Sequence, residues 1–103
     1  MRSRTRTSGD NVAYTVKYHP DIKNIDLPRI NVKMRERIRR AIESRLMTAP
    51  QEYGLPLRKS LGGCWKLRVG DYRVVFKIGG KIVYVLGVRH RKSIYTDVTG
   101  RIK

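Results

Sequence analysis

Lys66, Arg68 and Arg73 flank a Gly70-Asp71 pair. A glycine-containing pair between two alternating apolar runs is a two-residue hairpin turn, because Gly readily takes positive φ. With that turn Val69 pairs with Tyr72, Arg68 with Arg73, and Lys66 with Val75. Side chains alternate across a strand. Trp65, Leu67, Val69, Tyr72, Val74 and Phe76 therefore share one face, which reads as core. Lys66, Arg68 and Arg73 share the other, with two arginines directly opposed. Like charges facing each other across a strand pair cost about 0.2–1 kcal/mol. An anion between them would relieve the repulsion, and the planar fork of Arg grips phosphate oxygens in pairs. Long side chains splaying into water would relieve it too, and the pattern alone leaves both open.

The run Arg89-His90-Arg91-Lys92 and then Tyr95 adds more titratable groups. Arg89 is suited to stabilising charge, and Tyr95 or His90 to moving a proton. Strict alternation across a Gly79-Gly80 turn puts Arg89 on the face opposite Arg73. A bulge at Gly87 would bring it back, since strand glycines often mark bulges. Tyr95 takes up a proton only as phenolate, which neighbouring cations favour, and the same cations favour the neutral amine of Lys66. Either is a candidate base. His19 and His90 lie far apart, and no cluster has metal-ligand spacing, so neither metal nor cofactor is expected. The lone Cys64 excludes an intramolecular disulfide, fits a reducing cytosol and is expected to pack.

The 103 residues suffice for one domain with one core, and 40% apolar content is ordinary for a folded chain. The charge is not ordinary: 24 Lys and Arg against 8 Asp and Glu give +16. From Arg58 onward twelve basic residues meet only Asp71 and Asp97. Such an excess points first to a nucleic-acid partner, then to an acidic protein, then to a membrane surface. No apolar run is long enough to span a membrane. Residues Met1–Asn11 are basic at first but lack the apolar segment of a signal peptide. They are expected to form a disordered tail ahead of a single domain over residues 12–103.

Val12–Tyr18 alternates as a strand, and Pro20 opens a short helix through Ile25. A longer helix is predicted from Arg29 to Met47. Ile30, Met34, Ile38, Ala41, Ile42 and Leu46 form its apolar stripe, and Lys33, Arg35, Arg37, Arg39, Arg40 and Arg45 fill its solvent faces. Ala49-Pro50 ends it. Gln51–Gly62 reads as a loop. Strands are predicted over Cys64–Val69, Tyr72–Ile78 and Lys81–Arg89, and a short helix in Ser93–Lys103. The fold class is α+β: a small antiparallel sheet, the N-terminal strand plus a three-strand meander, with two helices packed on one face. That leaves Val75, Ile82, Tyr84 and Leu86 on a second apolar face, for a partner or the chain termini to cover.

The segment CWKLRVGDYRVVFKIGGKIVYVLGVRHRKSIY, with RLMTAP and the Leu57-Arg58 loop ahead of it, resembles the RelE-type toxins of the RelE/ParE superfamily. The likeness covers about Val12 to Tyr95, and R-x-G-x-Y-R and R-H-R-x-x-x-Y are its most specific parts. It implies the toxin of a type II toxin–antitoxin system: a cytoplasmic, metal-independent endoribonuclease cutting mRNA in the ribosomal A site. Attack by the 2′-OH would leave a 2′,3′-cyclic phosphate and a 5′-OH. By motif, Lys66 falls to proton transfer or phosphate stabilisation, Arg73 to phosphate stabilisation, and Arg89 to charge stabilisation or protonation of the leaving group. Tyr95 falls to stacking or base catalysis. Arg68 stands where some members carry a second lysine. Arg58, Lys59, Lys77, His90, Arg91 and Lys92 are expected to contact RNA. The implied partners are an acidic antitoxin, the ribosome with its mRNA, and operator DNA for the toxin–antitoxin complex. Two alternatives are a ParE-like inhibitor of DNA gyrase and a non-catalytic RNA-binding module. The full set of Lys66, Arg68, Arg73, Arg89 and Tyr95 favours the nuclease.

Overall fold

The computed structural model describes residues 13–102, so the predicted N-terminal tail lies outside the described residues. Strand β1 (Thr15–Tyr18) opens the fold, shorter than the sequence suggests. Pro20 starts a helical run that widens into a π-helical turn over Ile22–Asp26 and tightens into a 3₁₀ turn over Leu27–Arg29, around Pro28. Asn31 then caps α1 (Val32–Ala41), its side chain accepting the Met34 amide at 2.9 Å. Such a cap satisfies a backbone donor that the first helical turn leaves free. The helix therefore begins three residues later than expected, and it continues to Leu46 with π-type winding over Ile42–Leu46. Ile38, Ile42 and Leu46 of the predicted stripe are buried.

The expected loop over 51–62 is partly ordered. Pro50–Tyr53 forms a single helical turn, α2, and Leu55–Pro56 forms a two-residue edge strand, β2. Gly54 joins them where a Cβ would stand 2.6 Å from the Phe76 ring, so the chain passes directly over the core there. Strands β3 (Trp65–Val69), β4 (Tyr72–Gly79) and β5 (Ile82–His90) form the predicted meander. Its first turn is Gly70-Asp71, with Gly70 at φ +59°. The second is Gly80-Lys81, one residue later than expected, because Gly79 still pairs with Ile82.

The sheet order is β1-β5-β4-β3-β2. β1 runs parallel to β5, so the sheet is mixed and not wholly antiparallel. The helical stretch from Ile22 to Leu46 carries the chain from one edge of the sheet to the other, the long connection that a return from such an edge requires. One face of the sheet, with Leu67, Val74, Phe76, Val83 and Val85, packs on Ile38, Ile42 and Leu46. Of the two covers expected for the other face, a partner or a chain terminus, it is the terminal helix α3 (Ile94–Ile102) that packs there. There Ile94 and Val98 pack with Leu61, Cys64 and Val75. The chain's own C-terminal helix thus closes the second apolar face. Burial raises the affinity of the Cys64 thiol for its proton, consistent with a packing role. Among the described residues no helix is long and apolar enough to cross a membrane.

Candidate nucleic-acid interface

The β3–β4 hairpin has the register its turn dictates: Val69 opposite Tyr72, Arg68 opposite Arg73, Lys66 opposite Val75. Arg73 is half-buried and tethered at the turn, its guanidinium donating to the carbonyls of Gly70 at 3.0 Å and Tyr72 at 2.9 Å. These carbonyls orient the group without cancelling its charge. Arg68 is exposed beside it.

Across β4–β5 the register slips between Val75 and Phe76. Val75 pairs with Gly87 and Phe76 with Val85, leaving Leu86 as the extra residue. This bulge, one residue before the glycine expected to make it, sets Arg89 opposite Arg73. Three arginines, Arg68, Arg73 and Arg89, therefore line up on one face of three adjacent strands.

Arg89 is not free, however. Its Nε donates to Asp26 Oδ1 at 2.8 Å and its Nη1 to Asp97, and only 12% of the side chain is exposed. Asp26 is fully buried. It also accepts the Val88 amide at 2.8 Å and both terminal nitrogens of Arg101, each at 2.8 Å. Burial opposes ionisation of Asp26, but the hydrogen bonds from Arg101, the Val88 amide and Arg89 outweigh it and hold the carboxyl below its usual range. Arg101, which this carboxylate stabilises as a cation, ties the end of α3 to the π-helical turn that ends at Asp26.

Tyr95 stands in the first turn of α3, where α3 packs on Gly87. The Lys66 ammonium lies 5.9 Å from the centre of its ring, within cation–π range. Lys66 on β3 and Tyr95 on α3, with β4 and β5 between them in sequence, thus meet beside Arg68 and Arg73. The remaining predicted contacts divide. Lys77 is exposed on the same face of β4 as Arg73, and Arg58 and Lys59 are exposed ahead of β3. His90 pairs with Tyr72 and stacks edge-on against its ring at 5.7 Å, on the face away from Arg73. Arg91 leans toward Asp71 at 4.0 Å, and Lys92 is exposed in the following turn.

Sequence reasoning passed over four contributors. Asp26 and Asp97 hold Arg89. Arg45 and Tyr53 line a pocket with Lys66, Arg68 and Arg73. The sole sequence signal for Asp26 was an acid set between Ile25 and Leu27. Arg45 looked like any other cation on the solvent side of α1.

Residues 12–95 match the family described as the ParE toxin of the type II toxin–antitoxin system parDE. The chain belongs to that family of the RelE/ParE superfamily. It is a type II toxin by family. Among solved structures it is similar to the RelBE2 toxin–antitoxin complex of Mycobacterium tuberculosis, with 29% identity, a TM-score of 0.71, and 78% of this chain and 93% of that one covered. It shares the fold of a free E. coli RelE arginine double mutant, with 17% identity, a TM-score of 0.66, and 86% and 93% covered. It likewise shares the fold of the RelB–RelE complex of Methanococcus jannaschii, with 24% identity, a TM-score of 0.60, and 78% and 95% covered. No curated protein matches the sequence. The sheet and helices of this toxin are those of the RelE-like fold, as the resemblance implied.

Proposed function

We propose that this toxin is an endoribonuclease that cuts mRNA on the ribosome, with the scissile phosphate held on the β3–β4 hairpin. The observation that carries the reading is the meeting of Lys66 and Tyr95 at 5.9 Å beside the Arg68–Arg73 pair. RNA supplies its own nucleophile. The 2′-oxygen attacks the adjacent phosphorus and the bond to the 5′-oxygen breaks. A 2′,3′-cyclic phosphate and a 5′-hydroxyl result. Arg73 and Arg68 face the developing charge on the non-bridging oxygens, the kind of fixed donor that contributes most to such reactions. Tyr95 and Lys66 are the adjacent groups for taking the 2′ proton and returning one to the leaving oxygen. Arg89 joins only by exchanging Asp97, whose side chain is partly exposed, for a phosphate oxygen while Asp26 keeps its Nε.

The test is a reporter mRNA mapped by primer extension during translation in vitro, run with and without ribosomes. Discrete cuts at codons are expected. Arg73→Ala lowers cutting by about 10²–10³-fold, the cost of one oriented donor, and Tyr95→Phe removes most of it, both with the fold retained by circular dichroism. Full activity in both variants refutes the site.

A second reading is favoured by the family match itself and by the pairing of Arg89 with two carboxylates. The toxin would then act on DNA gyrase, as expected of a ParE-like toxin. Intact reporter RNA together with trapped gyrase cleavage complexes would establish that reading.

An acidic antitoxin is the proposed partner, and the similar structures from M. tuberculosis and M. jannaschii are toxin–antitoxin complexes. With α3 on the second sheet face, the seat for it is an apolar groove of about 860 Å³ between α1 and the Tyr18–Leu27 segment. Tyr18 and Val32 are exposed in it, and Arg35 and Arg39 stand on its rim. Co-expression of the two genes followed by co-purification tests this, and Val32→Glu is expected to weaken capture.

A further inference from the structure

We propose that the pocket between Arg45, Tyr53 and Arg68 is a nucleotide subsite that takes the base and phosphate next to the cleaved linkage in single-stranded RNA. The proposal rests on the hairpin reading above and extends it to residues outside the family motif.

The pocket has a volume of about 330 Å³ and is lined by Arg45, Tyr53, Leu55, Lys66, Arg68 and Arg73. That lies at the small end of ligand clefts, roughly 300 Å³ upward, and suits one nucleotide. Among the described residues no carboxylate lines it. Three other arginines are held by carboxylates: Arg39 by Glu36 and Glu43, Arg89 by Asp26 and Asp97, Arg101 by Asp21 and Asp26. Four cations converge here with no acid on the wall, so the charge they concentrate is available to an anion.

The apolar component points to a base. Tyr53 is 51% exposed, so its ring is open to a ligand from solvent. Its position is fixed and not incidental. Pro50 begins the single turn of α2, and Gly54 lets the chain close over Phe76 immediately after Tyr53. The Arg45 guanidinium sits 5.8 Å from the ring centre. Arginine planes and aromatic rings are the two surfaces on which unstacked RNA bases rest. The strand edge leaves room for the chain: β2 pairs only with Trp65 and Lys66, so among the described residues β3 has no outer strand neighbour along Leu67–Val69. A strand of RNA entering along that edge meets Tyr53 and Arg45 first and reaches Arg73 and Tyr95 beyond Lys66. The carboxylates of an acidic peptide would satisfy the cations but offer the ring no flat surface to stack on.

The probe is a short single-stranded RNA made uncleavable by a 2′-deoxy nucleotide at the cut position, titrated into the full chain by fluorescence anisotropy. Tyr53→Ala and Tyr53→Leu each weaken binding about tenfold, the scale of one stacked base, whereas Tyr53→Phe binds like the parent. Arg45→Ala lowers the slope of log affinity against log salt by about 0.7, one phosphate contact on a single strand. Melting temperatures establish that each variant is folded. Parental RNA affinity in folded Tyr53→Ala, Tyr53→Leu and Arg45→Ala overturns the proposal. So does an outcome in which these variants weaken binding to polyglutamate and leave RNA binding unchanged. Cutting by Arg73→Ala is measured beside them. Its persistence defeats the hairpin reading, while the Tyr53 and Arg45 affinities decide the subsite separately.

Discussion

Asp26 shows how one carboxylate can organise a site it does not enter. Among the described residues it is the one charged side chain that is fully buried. Breaking such a cluster leaves an uncompensated group inside and costs several kcal/mol. Its folded-state affinity for protons is depressed by Arg101, the Val88 amide and Arg89 acting against burial. The unfolded chain therefore binds a proton at a higher pH than the folded one. Asp26 stabilises the fold fully above the ordinary carboxylate value of about 3.9 and loses that contribution as pH falls through the lower folded value. Asp26→Asn is expected to melt lower than the parent at neutral pH, and the gap is expected to close in acid. Thermal melts between about pH 2 and pH 7 check this; a gap that stays constant across that range contradicts the linkage. The same network bears on reading Arg89 variants. Arg89→Ala removes a partner from Asp26, so any loss of activity in it has to be set against its melting temperature.

The bulge in β5 and the docking of α3 are one device. The extra residue at Leu86 turns Arg89 onto the face of Arg73. The adjacent Gly87 lets α3 approach so closely that a Cβ there would meet Val98 at 2.4 Å and Ile94 at 3.3 Å. Both contacts are within a packed cluster with little freedom to yield. Gly87→Ala is expected to cost about 1–3 kcal/mol by overpacking. Amide hydrogen exchange should locate the loss in α3, and RNA cutting should fall because Tyr95 rides on that helix. Parental protection of α3 in Gly87→Ala would show that the helix does not need this approach. By contrast the β3–β4 hairpin was legible in advance, since Gly70-Asp71 and strict alternation are local rules. The capping of α1 by Asn31 and the π-helical winding were not read, because each shifts a boundary without disturbing the apolar stripe.

For the whole molecule, charge is the dominant quantity. A net +16 on 103 residues is spent unevenly: the ion pairs gather at Asp26 and along α1, while the pocket of Arg45, Lys66, Arg68 and Arg73 has no carboxylate among its described lining residues. Binding to single-stranded RNA is therefore expected to fall steeply with salt, by about 0.7 in logarithmic slope for each phosphate engaged. Removing Lys66, Arg68 or Arg73 should each reduce the slope, whereas Arg101→Lys, inside the Asp26 cluster, should not. Anisotropy titrations at several salt concentrations measure it. A slope insensitive to all three hairpin substitutions would place the RNA on another face.

The residues of this chain, read alone, determined the hairpin register, the opposed Arg68–Arg73 pair, the apolar stripe of α1 and the superfamily. All of these follow from nearest-neighbour turn chemistry, side-chain alternation or a contiguous motif. Tertiary structure alone decided that α3 seals the second face, that Lys66 meets Tyr95, and that Arg89 is held by Asp26 and Asp97. It also decided that Arg45 and Tyr53 join the basic pocket. The Asp26 contacts span 62 to 75 residues of sequence. Partners that far apart leave no periodic trace, because nothing local distinguishes a carboxylate that will be buried between two arginines from one that will face water.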